Sequence, residues 1–148
     1  MAIHIEKVTD TDFPRLQAIW ESSVLATHDF LKDEDFREIQ QLLIPAYFPQ
    51  VELYKAISKE DGEILGFLGT QANRIEMLFI DDQFRGQGAG SALLKFAIQS
   101  IQINELDVNE QNKSALAFYQ HHGFQIIARS DVDGSGKPYP TLTLKLVR

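Results

Sequence analysis

The stretch from Met77 to Leu94, Met-Leu-Phe-Ile-Asp-Asp-Gln-Phe-Arg-Gly-Gln-Gly-Ala-Gly-Ser-Ala-Leu-Leu, constrains this chain more than any other. It reads as an apolar strand, a turn with glycine at three alternate positions (Gly86, Gly88, Gly90), and the start of an amphipathic helix. The apolar face of that helix is Leu93, Leu94, Ala97, Ile98 and Ile101, with Lys95, Gln99 and Gln102 opposite. Alternating glycines permit positive φ angles, so that successive N–H groups can turn inward as a nest for an anion. The helix behind adds unpaired N–H groups and a partial positive end, both suited to a pyrophosphate. Arg85 adds a direct charge. The plainer alternative is a tight turn that only reverses the chain, and the placement between an apolar strand and an amphipathic helix favours the anion site.

Two familiar phosphate loops do not fit. A Walker loop needs Gly-x-x-x-x-Gly-Lys-Ser/Thr, and the chain has no such run. A dinucleotide fingerprint needs Gly or Ala three residues after its second glycine, where Gly88 is followed by Ser91 and Gly90 by Leu93. Asp107 lies about twenty residues beyond the turn, where a ribose-binding acid would sit. Too little chain follows the turn, however, for a doubly wound nucleotide domain plus a substrate region.

Periodicity supplies the surroundings. Residues 2–8 are β-prone and read as a first strand, with His4 on its surface. Phe13, Leu16, Trp20 and Val24 recur at helical spacing from about Asp12 to Leu25, with Pro14 tolerated in the first turn. Phe36, Ile39, Leu42 and Leu43 make a second helix, expected to end before Pro45. Val51 to Ser58, Ile64 to Thr70 and Arg74 to Ile80 predict an antiparallel meander, turning at Glu60-Asp61-Gly62 and Ala72-Asn73. After the glycine turn come a short strand around Asn104 to Val108 and a helix from Asn112 to His122, stopped by Gly123 as a left-handed cap. Phe124 to Arg129 and Tyr139 to Val147 are the last strands. The order β-α-α-β-β-β-α-β-α-β-β, without repeat or linker, predicts a single α+β domain over residues 1–148. A chain of that length buries roughly 68–70% of its unfolded surface, enough for one core without disulfides or metals.

Composition acts by exclusion. The absence of cysteine removes disulfide frameworks, zinc ribbons, iron–sulfur sites and thiol nucleophiles. Fourteen basic against 21 acidic side chains, a net charge of -7, argue against a nucleic-acid surface. Small-molecule or protein partners are expected instead. No apolar run nears the ~20 residues of a membrane span and no signal segment opens the chain, so a cytoplasmic protein without membrane partners is the default. No His-Glu-x-x-His or clustered acids predict a metal, and His121 and His122 suit the negative end of their helix. Ser22 and Ser23 lack the Gly-x-Ser-x-Gly setting of a serine hydrolase.

The glycine turn resembles the cofactor motif of the GCN5-related N-acetyltransferase (GNAT) family, Gln/Arg-x-x-Gly-x-Gly/Ala after the fourth strand, which Arg85, Gly88 and Gly90 match. A second family motif, Asn-x-x-Ala-x-x-Phe-Tyr-x-x-x-Gly-Phe, is matched by Asn112, Ala115, Phe118, Tyr119, Gly123 and Phe124. The two motifs stand in the family order, as do the strands, and the resemblance covers the whole chain. Residues 26–31, 108–112 and 136–140 look like the YjaB-type branch of that family. The resemblance implies a GNAT-type acyl-CoA N-acyltransferase fold: a mixed, mainly antiparallel central sheet splayed between strands 4 and 5, with helices on both faces. It also implies acetyl-CoA as acetyl-donor cosubstrate, no metal, and direct attack by a primary amine of a small molecule or protein in a ternary complex. By the same resemblance, backbone N–H groups of Gly86, Gln87, Gly88, Ala89, Gly90 and Ser91 would hold the pyrophosphate, with Arg85 beside them. The main chain of Leu78, Phe79 and Ile80 would pair with the pantetheine arm. Asn112 would contact the cofactor from a position where asparagine also serves as an ordinary N-cap.

An amine attacking a thioester must lose a proton, the oxyanion must be stabilised, and the departing thiolate must be protonated. Tyr119 suits the last task, and lies seven residues, roughly 10 Å along the helix, beyond Asn112. A phenol of pKa ~10 can donate to a thiolate whose conjugate acid titrates near ~8.5 once it is positioned. The alternative for Tyr119 is a core aromatic beside Ala115 and Leu116. Three residues compete as base: Glu76, polar among apolar neighbours on the fourth strand, ranks above His28 and Asp107. Glu76 and Asp107 have the alternative of solvated strand residues, and His28 that of capping a turn. A backbone N–H near Leu78 would meet the oxyanion. The acceptor would lie against residues 20–36 and 131–140, which carry no motif tied to one substrate, and both monomer and homodimer are compatible with the sequence. A non-catalytic acyl-CoA-binding or regulatory module is the competing reading, and the presence of Tyr119 speaks against it.

Overall fold

Residues 65–70, Leu-Gly-Phe-Leu-Gly-Thr, are all buried, so the strand that carries them is covered on both faces. That requirement organises the first of the two compact units, Met1–Ile103 and Asn104–Arg148, into which the chain divides. The structure, a computed structural model, describes residues 2–147; Met1 and Arg148, part of the expected 1–148 domain, lie outside the described residues.

In the first unit, β1 (Ile3–Lys7), α1 (Phe13–Thr27), α2 (Asp33–Leu42), β2 (Glu52–Ser58), β3 (Ile64–Gln71), β4 (Arg74–Ile80) and α3 (Ala89–Gln99) follow in chain order. The four strands pair antiparallel as β1-β2-β3-β4, which is the expected meander with the first strand added to its outer side. Successive residues of a strand point to opposite faces. Leu53 therefore joins the cluster of Leu16, Ile19, Trp20 and Val24 from α1, while its neighbour Tyr54 meets Phe96 of α3 with ring centroids 4.9 Å apart. Helices thus cover both faces of this sheet. Trp20 stacks on Phe36 of α2 at 4.9 Å, closing the α1 side.

Gly66 of β3 explains how tightly β3 and β4 approach. A Cβ at this position would lie 2.4 Å from Ile80 Cδ1 and 2.7 Å from the Phe79 carbonyl oxygen, so only glycine fits.

The second helix ends at Leu42, before Pro45 as expected, and is followed by a π-type turn, Leu43–Tyr47, and a 3-10 turn, Phe48–Gln50. Proline has no N–H to donate, and the wider i to i+5 turn accommodates the loss.

The second unit holds β5 (Glu105–Asn109), α4 (Lys113–His121), β6 (Phe124–Ser130) and β7 (Thr141–Leu146). Its strands pair antiparallel with β7 in the middle, between β5 and β6. Leu106, Val108, Leu142 and Leu144 are buried there, together with Phe124. The last strand begins at Thr141 and not at the expected Tyr139, because Pro138 and Pro140 cannot donate to a ladder. Tyr139 is buried all the same. Gly123 takes the expected left-handed conformation after α4, with φ 96°. Among the described residues no helix is long and apolar enough to cross a membrane.

Candidate functional site

The glycine turn forms as a sequence of three steps. After β4, Asp81 caps a single 3-10 turn, Asp82–Phe84, by accepting the Gln83 N–H at 3.0 Å. Arg85 is extended, and Gly86 (φ 76°) and Gly88 (φ 95°) then take left-handed conformations. Gly88 is the N-cap of α3 and its carbonyl accepts the first helical bond, from Ala92 N–H at 2.9 Å. A Cβ on Gly86 or Gly88 would meet nothing within 4 Å, so backbone conformation alone selects glycine and the space over the turn is open. Gly90 departs from the expected triple pattern: it is the second residue of α3, outside the set of positive-φ glycines. Two left-handed residues suffice to aim the chain, and Gly90 leaves the first helical turn without a covering side chain. Arg85 pairs with Asp82 at 3.4 Å, both being exposed.

Asp81 belongs to a network that sequence reading did not find. Arg15 donates to its Oδ2 at 2.9 Å, and Ser22 Oγ donates to its Oδ1 at 3.1 Å. The Asp82 N–H in turn donates to Ser22 Oγ at 3.0 Å. Burial alone would raise the Asp81 carboxyl, but hydrogen bonds from Gln83, Arg15 and Ser22 and the charge of Arg15 outweigh it and hold the pKa below the ordinary carboxylate value. Arg15 also donates to the Ile64 carbonyl at 2.8 Å, while its Nε is buried without an acceptor. The available signal was the spacing of Arg15 and Ser22, seven residues and about two turns apart on one stripe of α1, with Ile19 between them.

Among the candidate bases, Glu76 occupies a β-bulge. Gly69 pairs with Met77 and Thr70 with Ile75, leaving Glu76 unopposed in the register. Its side chain is 39% exposed and stands 3.8 Å from Arg74 Nε. Bulges re-aim a side chain, here the one acid of β4. Leu78, Phe79 and Ile80 follow, all half-buried, paired with Leu68, Phe67 and Gly66.

His28 closes α1 and lines a hollow of about 190 Å³ with Asp29 and Asp33 as its other polar groups and Val24, Leu31 and Phe36 among its apolar walls. Thr27 Oγ1 donates its single proton to the Ser23 carbonyl at 2.7 Å, so at 2.8 Å from His28 Nδ1 it accepts. The neutral imidazole therefore carries its proton on Nδ1 and presents a bare Nε2. Burial lowers its pKa below the ordinary histidine value, against the opposing charge of Asp29.

In the second unit, Asn112 is the N-cap of α4, its Oδ1 accepting the Ala115 N–H at 3.3 Å. Tyr119, seven residues on, is 8% exposed, with the rings of Phe118 and Phe124 edge-on at 5.3 and 5.9 Å. Burial pushes its phenol far above the ordinary value, so it stays protonated. Asp107 is exposed on β5 and accepts from Thr143 Oγ1 of β7 at 2.7 Å, a cross-strand pair. Glu110, just before Asn112, is bound by Arg129 at 2.7 and 3.1 Å. Near the end of the same helix, His122 Nδ1 lies 2.9 Å from the Phe118 carbonyl.

Comparison with known proteins bears directly on this arrangement. Residues 30–139 match the acetyltransferase (GNAT) domain. Peptidyl-lysine N-acetyltransferase YjaB of Salmonella typhimurium is 39% identical over 97% of this chain and 98% of its own. The chain belongs to the GNAT acetyltransferase family. The solution structure of apo-form YjaB from Escherichia coli, 38% identical, superposes with a TM-score of 0.89 over 99% of both chains. PaiA N-acetyltransferase of Thermoplasma acidophilum, solved in complex with coenzyme A, shares the fold at a TM-score of 0.72 and 22% identity, covering 99% of this chain and 100% of that one. This GNAT protein is accordingly an α+β enzyme that transfers an acetyl group from acetyl-CoA to an amine.

Proposed function

We propose that this GNAT enzyme acetylates the ε-amino groups of lysines in proteins, the two units working as one catalytic domain. The name of the Salmonella typhimurium relative supports the acceptor class. The observation that carries the donor site is the left-handed pair Gly86 and Gly88 opening α3 into empty space. In this reading N–H groups from Gly86 to Ser91 hold the pyrophosphate. The main chain of Leu78 to Ile80 lies along the pantetheine, and Asn112 and Tyr119 complete the cofactor contacts.

Chemically, the lysine nitrogen attacks the thioester carbon, a C–N bond forms, the C–S bond breaks, and the amine loses a proton. Glu76 is the first-ranked acceptor of that proton, directly or through water, ahead of His28 and Asp107. Tyr119 Oη makes no hydrogen bond to another described residue, so its O–H is free to donate to the departing sulfur. Its raised pKa makes complete transfer from the phenol uphill. Tyr119 therefore serves as a hydrogen-bond donor while the sulfur is a strong base, and the proton released by the amine completes the balance.

The test is CoA release from acetyl-CoA with lysine-bearing peptides, spermidine and free amino acids as acceptors, and mass spectrometry to locate the acetyl group. Acetyl-lysine in the peptides is expected. Turnover with the small amines alone would replace the protein acceptor by a small one.

A further inference from the structure

We propose that Ser22 and Asp81 are positioning residues for the pyrophosphate turn, through which α1 fixes where the turn starts and neutralises the charge at its mouth. The proposal rests on the reading that the pyrophosphate lies over Gly86 to Ser91.

Two acids, Asp81 and Asp82, stand at the point where β4 gives way to the turn. Left uncompensated, they would oppose an approaching diphosphate. Each is answered, Asp81 by Arg15 at 2.9 Å and Asp82 by Arg85 at 3.4 Å. The Arg15 guanidinium is shared, since its Nη2 also lies 3.1 Å from Glu63 Oε1 and donates to the Ile64 carbonyl, while its buried Nε has no acceptor.

Ser22 does what neither arginine does. Its hydroxyl donates to Asp81 Oδ1 and accepts the Asp82 N–H, so one oxygen ties the carboxylate to the backbone of the first turn residue. Asp81 Oδ1 also accepts the Gln83 N–H, which winds the 3-10 turn leading to Arg85 and Gly86. Fifty-nine residues separate Ser22 from Asp81, so this anchor is a tertiary contact and not a property of the turn. Preorganised N–H groups bind an anion without first having to be ordered, and loosening the anchor returns that ordering cost to the binding step.

Ser22→Ala removes both hydrogen bonds but leaves the Arg15–Asp81 ion pair. The intact chain, wild type, Ser22→Ala and Ser22→Thr, is titrated with CoA by calorimetry and assayed with one lysine peptide, using acetyl-CoA and, in parallel, acetyl-pantetheine, which has no pyrophosphate. Loss of a hydrogen bond to a charged group predicts about tenfold weaker CoA binding and an about tenfold higher KM for acetyl-CoA in Ser22→Ala. Saturating kcat, peptide KM and the KM for acetyl-pantetheine stay within about twofold, and Ser22→Thr restores CoA binding. Equal loss with both donors, or unchanged CoA affinity with a lowered melting temperature, reduces Ser22 to a packing role and overturns the proposal. Failure of the wild-type chain to bind CoA at all overturns the pyrophosphate placement instead.

Discussion

Tyr119 carries two separable properties, a buried ring and an uncommitted hydroxyl. The ring packs with Phe118 and Phe124, and the hydroxyl bonds to no other described residue. Tyr119→Phe therefore keeps the packing and loses only the donor. We expect kcat to fall about 10²-fold or more, the usual worth of a positioned proton donor. The melting temperature should hold or rise, since no protein hydrogen bond is lost; steady-state kinetics beside thermal unfolding check the pair of outcomes. His28 contributes a pH signature. Its folded-state pKa lies below the unfolded value of about 6.5, so between the two the unfolded chain binds more protons and stability climbs as pH rises. Urea midpoints measured from about pH 5 to pH 8 should show that slope, and His28→Gln should flatten it. The sequence named Tyr119 and His28 as candidates. It did not show that Thr27 and Ser23 set the imidazole tautomer, which depends on where three atoms of a helix end fall.

At the scale of elements, β4 and its partner strand decide how Leu78, Phe79 and Ile80 are presented. The close approach at Gly66 holds Phe79 and Ile80 against β3, and the bulge at Glu76 shifts register just upstream. Gly66→Ala would have to push the Phe79 carbonyl away, since backbone cannot swing aside as a side-chain end can. A loss of about 1–3 kcal/mol in folding stability is expected, read by urea unfolding. On the proposed placement of the pantetheine along Leu78 to Ile80, weaker CoA binding should accompany it, because those residues would move. The strand and its glycine turn were legible from apolar run and glycine spacing, whereas the bulge was not. A bulge is a mismatch in counting between two strands, and neither strand records it alone. The stop signal at Pro45 was likewise legible, since α2 ends at Leu42, whereas the π-type turn that follows was not.

For the molecule as a whole, the net charge of -7 sets a field that favours cationic acceptors. Raising ionic strength should therefore increase KM for lysine peptides flanked by basic residues more than for peptides flanked by neutral ones, an effect kinetics in a salt series would read directly. Equal salt sensitivity of the two peptide sets would show that the field plays no part. Residue types at fixed spacing determined a good deal by themselves: the order of elements, the left-handed glycine turn at the start of α3, and the Asn112 cap and Gly123 stop of α4. Those follow from local φ preferences and side-chain periodicity, which neighbouring residues carry within a few positions of one another. Tertiary structure alone decided that Glu76 is set off by a bulge, and that Asp81 is neutralised by Arg15 and tied to Ser22. Such features arise where residues far apart in the chain are packed together, and only packing chooses which of many possible polar partners a buried carboxylate meets.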